Sequence, residues 1–369
     1  MFDVTNREQQ ILVLIREDPL ISQQAIAKKM GISRSAVAGH IMKLTNKGII
    51  AGRAYVVSDA SFVAVIGGMN MDIHGKPAKT LRRHDSNPGS VHTSPGGVAR
   101  NIAENLARLS IDCRLISAVG NDQYGQALLQ QCRDSGIDVQ HVQQFDSIPT
   151  STYLSVLDGS GDMHVAINDM AIIDAIDPER MHSIEAMLKR TPLVVIDTNL
   201  REDTLGWLAE RLDGQVLFVD TVSTIKGKKI KPHLSAIHTL KANRDEAEAL
   251  SGLNARTKAE RRKLAEWFHN KGVTRLFVTL GKGGVFYSTG DQQGIERPPH
   301  KRSEMCNAGG AGDAFMAGLA YSWLHDWALK KSIQFALAAA DVTLSDDKSS
   351  SPGISLAAVN CVYENKYAN

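Results

Sequence analysis

The residues best suited to chemistry lie in the segment 307–313, with the sequence NAGGAGD, directly before an apolar run over 314–321. Glycines allow backbone N–H groups to turn toward a ligand at positive φ. A helix that begins here would add unpaired N–H donors from Gly310, Ala311 and Gly312, which suit a phosphate. Asp313 would lie beside these donors and could accept a proton from an attacking hydroxyl. The same spacing also fits a tight turn before a packed helix.

Short apolar strands alternate with helical stretches through the centre and C-terminal part of the chain. The strands are predicted at 62–67, 114–120, 193–197, 216–220, 237–241 and 275–280, and the helices at 122–135, 178–189, 245–250 and 255–270. This alternation predicts an α/β fold with a doubly wound, mostly parallel sheet. Such a sheet binds ligands at the carboxyl ends of its strands. Residues 151–167 instead predict an antiparallel hairpin.

Residues 1–57 have a different pattern and predict a small α-helical winged-helix domain, followed by a second domain over 58–369. Helices are predicted at 7–16, at 22–30 and from Ser33 to Gly48, with Ser22 and Ser33 as caps. The tight link at Gly31 gives the plan of a helix-turn-helix, and residues 49–57 would form the wing.

In that plan the third helix enters the DNA major groove with Arg34, Ser35, His40 and Lys43 facing outward. A single copy would bind weakly, so we expect a homodimer. The alternative is an accessory domain that mediates dimer contacts and does not bind DNA.

Composition excludes few classes of function. The net charge of +2 argues neither for nor against nucleic acid, and the four cysteines lack the spacing of a metal site. Asp3, Arg7 and Glu8 interrupt any signal-peptide pattern, and no apolar run approaches the roughly 20 residues that span a bilayer. We therefore expect a cytoplasmic protein that does not bind membranes.

Two motifs resemble those of one enzyme family. Gly310–Asp313 resembles the C-terminal signature of the ribokinase-like carbohydrate kinases, the phosphofructokinase-B type, and segment 94–109 resembles their N-terminal signature. The resemblance extends from Phe62 to near the C-terminus. It implies ATP and Mg²⁺ as cofactors, Asp313 as the catalytic base, and the amides of Gly310, Ala311 and Gly312 as the groups that stabilise the transferring phosphoryl.

The resemblance also implies a site for a nucleoside or sugar acceptor. Asp72 would bind sugar hydroxyls, Gly96 and Gly97 would let the backbone approach the sugar, and Asn101 would bind a hydroxyl. The hairpin over 151–167 would form a lid above this acceptor. Without the resemblance, Asp72 could stabilise a turn, and the two glycines could serve a helix N-terminus.

Further elements resemble the family's nucleotide site. Asn243 and Glu246 match its Asn-x-x-Glu element, in which Glu246 acts on Mg²⁺ through water, and Asp220 is a weaker candidate for the same ion. Thr279, Gly281 and Gly284 lie in a turn that would hold ATP. The alternatives are a helix capping box at Asn243 and a simple hairpin turn at 281–284.

A narrower resemblance concerns the acceptor. Segments 85–89, 166–170 and 237–243 are similar to the bacterial pseudouridine kinases, and Asn168 could bind the uracil edge or stabilise a turn. Asn307-Ala308-Gly309 replaces the family's usual Asp-Thr-Thr, so dependence on a monovalent cation does not follow. The alternatives are a kinase of another nucleoside or sugar, or a transcription regulator that senses one with a kinase-like body.

Overall fold

The computed structural model describes residues 4–51, 61–82, 84–158, 163–298, 310–345 and 351–367. The chain divides into two compact units. One contains residues 1–61 together with 179–192, and the other contains 62–178 and 193–369. The second unit therefore carries all the predicted strands of the doubly wound sheet.

The helices and strands of the described residues have these bounds. The helices are α1 (Asn6–Glu17), α2 (Gln23–Met30), α3 (Arg34–Asn46), α4 (Val98–Arg108), α5 (Gln123–Asp134), α6 (Pro178–Leu188), α7 (Glu202–Arg211), α8 (Arg244–Ser251), α9 (Lys258–Asn270), α10 (Ala311–Leu324), α11 (Leu329–Thr343) and α12 (Leu356–Tyr367). The strands are β1 (Val63–Ile66), β2 (Asn70–Pro77), β3 (Gly89–Gly96), β4 (Cys113–Ile116), β5 (Ala118–Gly120), β6 (Gln143–Phe145), β7 (Thr152–Leu157), β8 (Met163–Asp169), β9 (Leu193–Asp197), β10 (Leu217–Asp220), β11 (Thr239–Asn243), β12 (Arg275–Thr279), β13 (Val285–Ser288) and β14 (Gln293–Glu296).

The second and third N-terminal helices form as their caps predict. Ser22 Oγ accepts a hydrogen bond from the backbone N–H of Ala25 at the start of α2, and Gly31 ends that helix in the left-handed conformation. Ser33 caps α3 in the same way. The apolar faces of α1, α2 and α3 pack together around Ile11, Ile26 and Leu44. Residues 52–57 of the predicted wing lie outside the described residues.

The main sheet has eight strands in the order β14-β13-β12-β11-β10-β9-β1-β4. The six strands from β12 to β4 in this order are parallel, and β13 and β14 are antiparallel. Alternate residues of these strands point to opposite faces. Val63 and Val65 join a core that includes α4, α10 and α11, while Ala64 and Ile66 are buried on the other face. Burial on both faces explains the continuous apolar strands.

A separate sheet has the order β3-β2-β7-β8. The predicted hairpin is β7 and β8, which pair antiparallel as expected. Its turn residues 159–162 lie outside the described residues. That β2 and β3 belong to the same sheet was not predicted, because a long connection separates the paired strands over 70–77 and 89–96.

Several predicted elements have different bounds in the structure, such as the strand predicted at 237–241, which is Thr239–Asn243, and two of the differences have a local cause. The single strand at 114–120 is divided at Ser117, whose Oγ donates to the carbonyl oxygen of Gly67. The first part, β4, stays in the main sheet, and β5 pairs instead with β6. The helix predicted from 255 begins only at Lys258, because Thr257 forms its capping box. None of the helices in the described residues is long and apolar enough to cross a membrane.

Candidate active site

Asp313 is the third residue of α10, and its side chain is buried. Gly310 precedes the helix with φ of 80°, a conformation that glycine adopts without strain, and its carbonyl oxygen accepts from the N–H of Ala314. The N–H groups of Ala311, Gly312 and Asp313 belong to the first turn, where a helix leaves donors without intrahelical partners. We call residues 310–313 the amide cradle. Asn307, Ala308 and Gly309 lie outside the described residues.

Asn101 is the direct partner of Asp313. Its Nδ2 donates to Asp313 Oδ2 at 2.8 Å, and its Oδ1 accepts from the Arg100 guanidinium at 2.8 Å. All three side chains are buried. The sequence predicts that Asn101 binds an acceptor hydroxyl, whereas here its amide holds the carboxylate in place. A role in contacting the acceptor stays a prediction.

The environment of Asp313 changes its proton affinity. Burial and the nearby Asp220 carboxylate raise the pKa of Asp313 to about 7, against the lowering effects of Lys241 and of the Asn101 hydrogen bond. A carboxylate with such a pKa is a much stronger base than an exposed aspartate and is still partly ionised near neutrality. Asp313 therefore has the proton affinity of a general base.

Two further charged groups lie on neighbouring strands, Asp220 at the carboxyl end of β10 and Lys241 in the middle of β11. Lys241 on β11 and Asp220 on β10 are direct register partners, and Lys241 Nζ donates to Asp220 Oδ2 at 2.7 Å. Asp220 Oδ1 accepts from the N–H of Val222. A Cβ added to Gly312 would lie 2.5 Å from Lys241 Nζ, so the ammonium lies against the amide cradle. No role was predicted for Lys241, because its contact with Gly312 joins segments that are distant along the chain.

Asn243 and Glu246 form the capping box of α8. Glu246 Oε2 accepts from Thr221 Oγ1 and from the N–H of Asn243, and its Oε1 accepts from Asn243 Nδ2. The described residues contain no cluster of three or more side chains that could hold a metal ion by themselves. Carboxylates that reach Mg²⁺ through water, with phosphate oxygens completing the shell, fit this arrangement. The water-mediated role of Glu246 and the ligand role of Asp220 both stay predictions.

The predicted nucleotide turn joins β12 to β13, which pair antiparallel. It begins after Thr279, which is paired in register with Asn243 of β11. Gly281 and Gly284 both have positive φ, and a Cβ on Gly284 would lie 2.1 Å from the carbonyl oxygen of Glu296. The turn is thus also a tight hairpin, and it lies beside the Asn243 end of the sheet.

Asp72 lies on β2, with its carboxylate against the backbone of Gly96 on β3. A Cβ on Gly96 would lie 2.3 Å from Asp72 Oδ2, so a larger residue there would displace the carboxylate. Gly97 has φ of 99°, and a Cβ there would lie 2.4 Å from the carbonyl oxygen of Gly68. Asp72 accepts from Asn70 Nδ2, and burial raises its pKa. Close approach to the backbone therefore requires glycine at position 97, and glycine at position 96 leaves room for the Asp72 carboxylate.

Asn168 shares one face of the small sheet with Asp72. In the register of the strands, Asp72 pairs with Tyr153, and Tyr153 pairs with Asn168. The three side chains therefore form one row across β2, β7 and β8. Neighbouring strands are about 4.8 Å apart, which places Asp72 and Asn168 ~10 Å apart. In the next row, His74 Nδ1 and Ser155 Oγ are hydrogen-bonded at 2.6 Å.

Asp197 is a second residue whose role the sequence analysis missed. It ends β9, is completely buried, and its Oδ2 accepts from the N–H groups of Gly68 and Ala99. Gly97 has no side chain to cap α4, so this carboxylate from another strand supplies the cap. An aspartate at the end of an apolar strand is the signal that could have found it.

The predicted DNA-contacting residues lie on α3. Arg34, Ser35 and Lys43 are exposed, and His40 is half-buried. Ser35 Oγ lies 3.0 Å from Ser33 Oγ, so it is partly engaged in the cap of the helix. The buried face of α3 consists of Val37, Ile41 and Leu44.

Comparison with known proteins gives two family matches. Residues 60–354 match the model of the pfkB family carbohydrate kinases, and residues 5–51 match that of winged helix-turn-helix DNA-binding domains. A protein of Escherichia coli (strain K12) named uncharacterized sugar kinase YeiI is 38% identical over 354 residues, covering 95% of this chain and 97% of that protein.

Two further relatives bear on acceptor and fold. The pseudouridine kinase of Escherichia coli (strain K12) is 40% identical over 307 residues, covering 83% of this chain and 98% of that enzyme. The structure of Arabidopsis thaliana ribokinase complexed with ribose and ATP is similar with a TM-score of 0.74 and 18% identity, covering 83% of this chain and 99% of that chain. At that identity it shows a ribokinase-like fold, as the sequence predicted.

Proposed function

Because the chain belongs to the pfkB family of carbohydrate kinases, we propose that it transfers the γ-phosphoryl group of ATP to the 5′-hydroxyl of a nucleoside, and that this nucleoside is pseudouridine. The family supports the reaction class, a phosphotransferase with an alcohol acceptor. The observation that carries the catalytic assignment is the buried Asp313, with a pKa raised to about 7, at the start of α10.

Each residue of the site has a separate role in the proposed phosphoryl transfer. Asp313 accepts the proton of the 5′-hydroxyl while that oxygen attacks the γ-phosphorus, and the bond to the bridging oxygen of ADP breaks. The N–H groups of Gly310, Ala311 and Gly312, together with the dipole of α10, stabilise negative charge on the transferring group. Mg²⁺, when bound with ATP, would offset charge on the phosphate oxygens, and Glu246 would orient its waters.

The nucleotide and acceptor are proposed to occupy opposite sides of Asp313. ATP would lie along Asn243, Thr279, Gly281 and Gly284, where β11 and β12 end side by side. The acceptor would lie against Asp72, Gly96, Gly97 and the helix that carries Asn101. The nucleotide side uses the carboxyl ends of parallel strands, where open α/β sheets bind ligands.

Two observations favour a nucleoside over a free pentose. The alignment with the E. coli pseudouridine kinase covers 98% of that enzyme at 40% identity, although the sugar kinase YeiI is similarly related. In addition, the row from Asp72 to Asn168 spans ~10 Å, which lets one end bind ribose hydroxyls and the other a base edge. The Asn168 amide offers both a donor and an acceptor to that edge.

A panel of acceptors tests this proposal. ADP release should be measured with pseudouridine, uridine, guanosine, ribose and fructose at equal concentrations. We expect the highest kcat/KM for pseudouridine, and Asn168→Ala should lower it for nucleosides but not for ribose. A preference for ribose or a hexose would refute the nucleoside assignment while leaving the kinase reaction intact.

We propose a second activity, DNA binding by residues 1–57. The match to winged helix-turn-helix domains and the exposed Arg34, Ser35 and Lys43 on α3 favour it. Phosphate contacts make such binding weaken steeply with salt. Fluorescence anisotropy with the full chain should therefore show salt-dependent binding that Lys43→Ala weakens, with a salt slope smaller by about 1. No binding at low salt would refute this activity.

A homodimer is proposed through the face of the small sheet opposite Asp72. Val91, Leu154, Val165 and Ile167 lie in adjacent rows of this face and are 37–70% exposed. Exposed contiguous apolar groups of this kind mark interaction surfaces. Sedimentation velocity should show a dimer that Ile167→Glu converts to a monomer. A monomeric wild-type chain would refute it.

A further inference from the structure

Arg100 is the third residue of α4 and is almost completely buried, with 1% of the residue exposed. A guanidinium group is costly to bury unless its charge and its donors are paired. Its Nη2 donates to Glu104 one turn along the helix, and its Nη1 donates to Asn101 Oδ1 at 2.8 Å. A longer bond of 3.3 Å joins Nη1 to the carbonyl oxygen of Pro95 on β3. The guanidinium therefore contacts the amide that holds Asp313.

The ion pair within α4 explains only part of this arrangement. Glu104 Oε1 also accepts two hydrogen bonds from Arg108, at 2.7 and 3.1 Å, so its charge has a second cation. The side chain of Arg108 is 26% exposed, and a charge that keeps contact with water costs less than a buried one. Neutralising Glu104 therefore does not require a second, fully buried arginine. What Arg100 adds is the bond to Asn101.

The bond from Arg100 determines which end of the Asn101 amide faces Asp313. A carboxamide has a donor end and an acceptor end of nearly the same shape. Only the Nδ2 end can donate to the Asp313 carboxylate, as it does at 2.8 Å, because an amide oxygen in its place would be repelled. Arg100 has donors and no acceptor, so it binds the Oδ1 end and repels the Nδ2 end. The guanidinium and the carboxylate thus favour the same orientation of the amide.

We propose that Arg100 is a positioning residue of the phosphoryl transfer, which orients the Asn101 amide so that this amide holds Asp313 ready to accept the hydroxyl proton. The inference rests on the proposed kinase reaction but not on which nucleoside is the acceptor. Arg100 acts through Asn101 and keeps its own proton throughout. Without the guanidinium, the amide is free to turn, and Asp313 loses its hydrogen-bond donor.

The charged and titratable groups around both side chains determine the sign of the effect. Those near Arg100 are the carboxylates of Glu104 and Asp72 and the thiol of Cys132. Those near Asp313 are the carboxylates of Asp220 and Asp197 and the ammonium of Lys241. The Asn101 hydrogen bond lowers the pKa of Asp313. Loss of that bond and loss of a nearby cation both favour the protonated acid, so removing Arg100 should raise the pKa of Asp313.

The main variant is Arg100→Met, which keeps a long side chain and leaves Glu104 paired with Arg108. Its fold is checked by thermal unfolding. Arg108→Met is the matched control, because it removes a cation bonded to the same carboxylate from the far end of the same helix. Arg100→Lys keeps the charge, but one ammonium replaces the fork that reaches both Glu104 and Asn101.

The ionisation of Asp313 is followed by carbon-13 NMR of the aspartate carboxyl groups, with its signal identified by its loss in Asp313→Asn. We expect Arg100→Met to move this titration to higher pH by about 1 unit, and Arg100→Lys to move it less. Because less of the base is then ionised, kcat at pH 7 should fall about 5-fold in Arg100→Met and recover at higher pH, with KM for ATP unchanged. Arg108→Met should change neither the titration nor kcat.

A double-mutant cycle tests whether Arg100 acts through the amide. In the Asn101→Ala background, Arg100→Met should lower kcat by less than about 2-fold, because the group that it orients is gone. A role in the stability of α4 alone would instead give losses that multiply in the double variant.

The outcomes separate this inference from the proposed function. An unshifted Asp313 titration in folded Arg100→Met, or losses that multiply in the cycle, would refute the positioning role. If Arg100→Met does not fold, the same two measurements on Arg100→Lys decide the question. If no acceptor in the panel is phosphorylated but the titration still moves, the proposed kinase reaction fails and the orientation of Asn101 by Arg100 stands.

Discussion

The hydrogen bond from Asn101 to Asp313 gives the sharpest quantitative prediction. Asn101 Nδ2 donates to Asp313 Oδ2 at 2.8 Å, and both side chains are buried. The bond favours the ionised carboxylate and so lowers the pKa of Asp313. Replacing Asn101 with alanine removes this stabilisation, and we expect the pKa of Asp313 to rise further above its ordinary value.

The size of the effect follows from the strength of such bonds. A buried hydrogen bond to a charged group contributes about 1.5–3 kcal/mol, which corresponds to roughly 1–2 pKa units. Asp313 begins near 7, so about half of it is ionised at pH 7. After the change, only about one-tenth to one-hundredth would be ionised. Activity at pH 7 should fall by about 5- to 50-fold and recover at higher pH.

The assay is the pH profile of kcat/KM for the wild type and Asn101→Ala. We expect the acidic limb of the variant to move to higher pH by roughly 1–2 units with a similar plateau. Asn121→Ala is the control, because Asn121 Nδ2 makes an equally short bond to Asp146 at 2.8 Å outside the site. A limb that stays in place, or a loss of activity equal at every pH, would refute the proposed link between Asn101 and the base.

Three further changes test other parts of the site. Gly97→Ala should lower the free energy of unfolding by about 1–3 kcal/mol, because its Cβ would meet the carbonyl oxygen of Gly68 at 2.4 Å. Gly136→Ala, also at positive φ but in open space, should lower it less, and chemical denaturation measures both. Asp72→Ala should raise KM for the acceptor about 10-fold or more and leave KM for ATP unchanged, which steady-state kinetics can separate. Glu246→Gln should raise the Mg²⁺ concentration needed for half-maximal rate, and an unchanged Mg²⁺ dependence would argue against its metal role.

Local signals in the sequence account for much of the fold. Ser22 and Ser33 cap their helices through bonds to N–H groups three residues ahead, so a short window of sequence contains both partners. The apolar strands of the main sheet were predicted because burial on both faces makes them apolar throughout. The break in the strand at Ser117 was not predicted, because it depends on Gly67, a residue 50 positions away.

The chemistry of the site was only partly predictable for the same reason. Asp313 could be found because its glycines precede it directly. Its partner Asn101 is 212 positions away, and Lys241 contacts Gly312 only after the sheet has formed. Asp197 caps α4 from a distance of 98 positions. Residue type identified the groups, but the fold alone determines which of them meet.

The most direct test of the account is turnover by Asp313→Asn. The amide has nearly the same shape as the carboxylate but cannot accept the hydroxyl proton, so we expect kcat to fall by about 100-fold or more while the Kd for ATP, measured by calorimetry, changes little. Near-normal turnover by this variant would contradict the central claim that Asp313 is the base of a phosphoryl transfer.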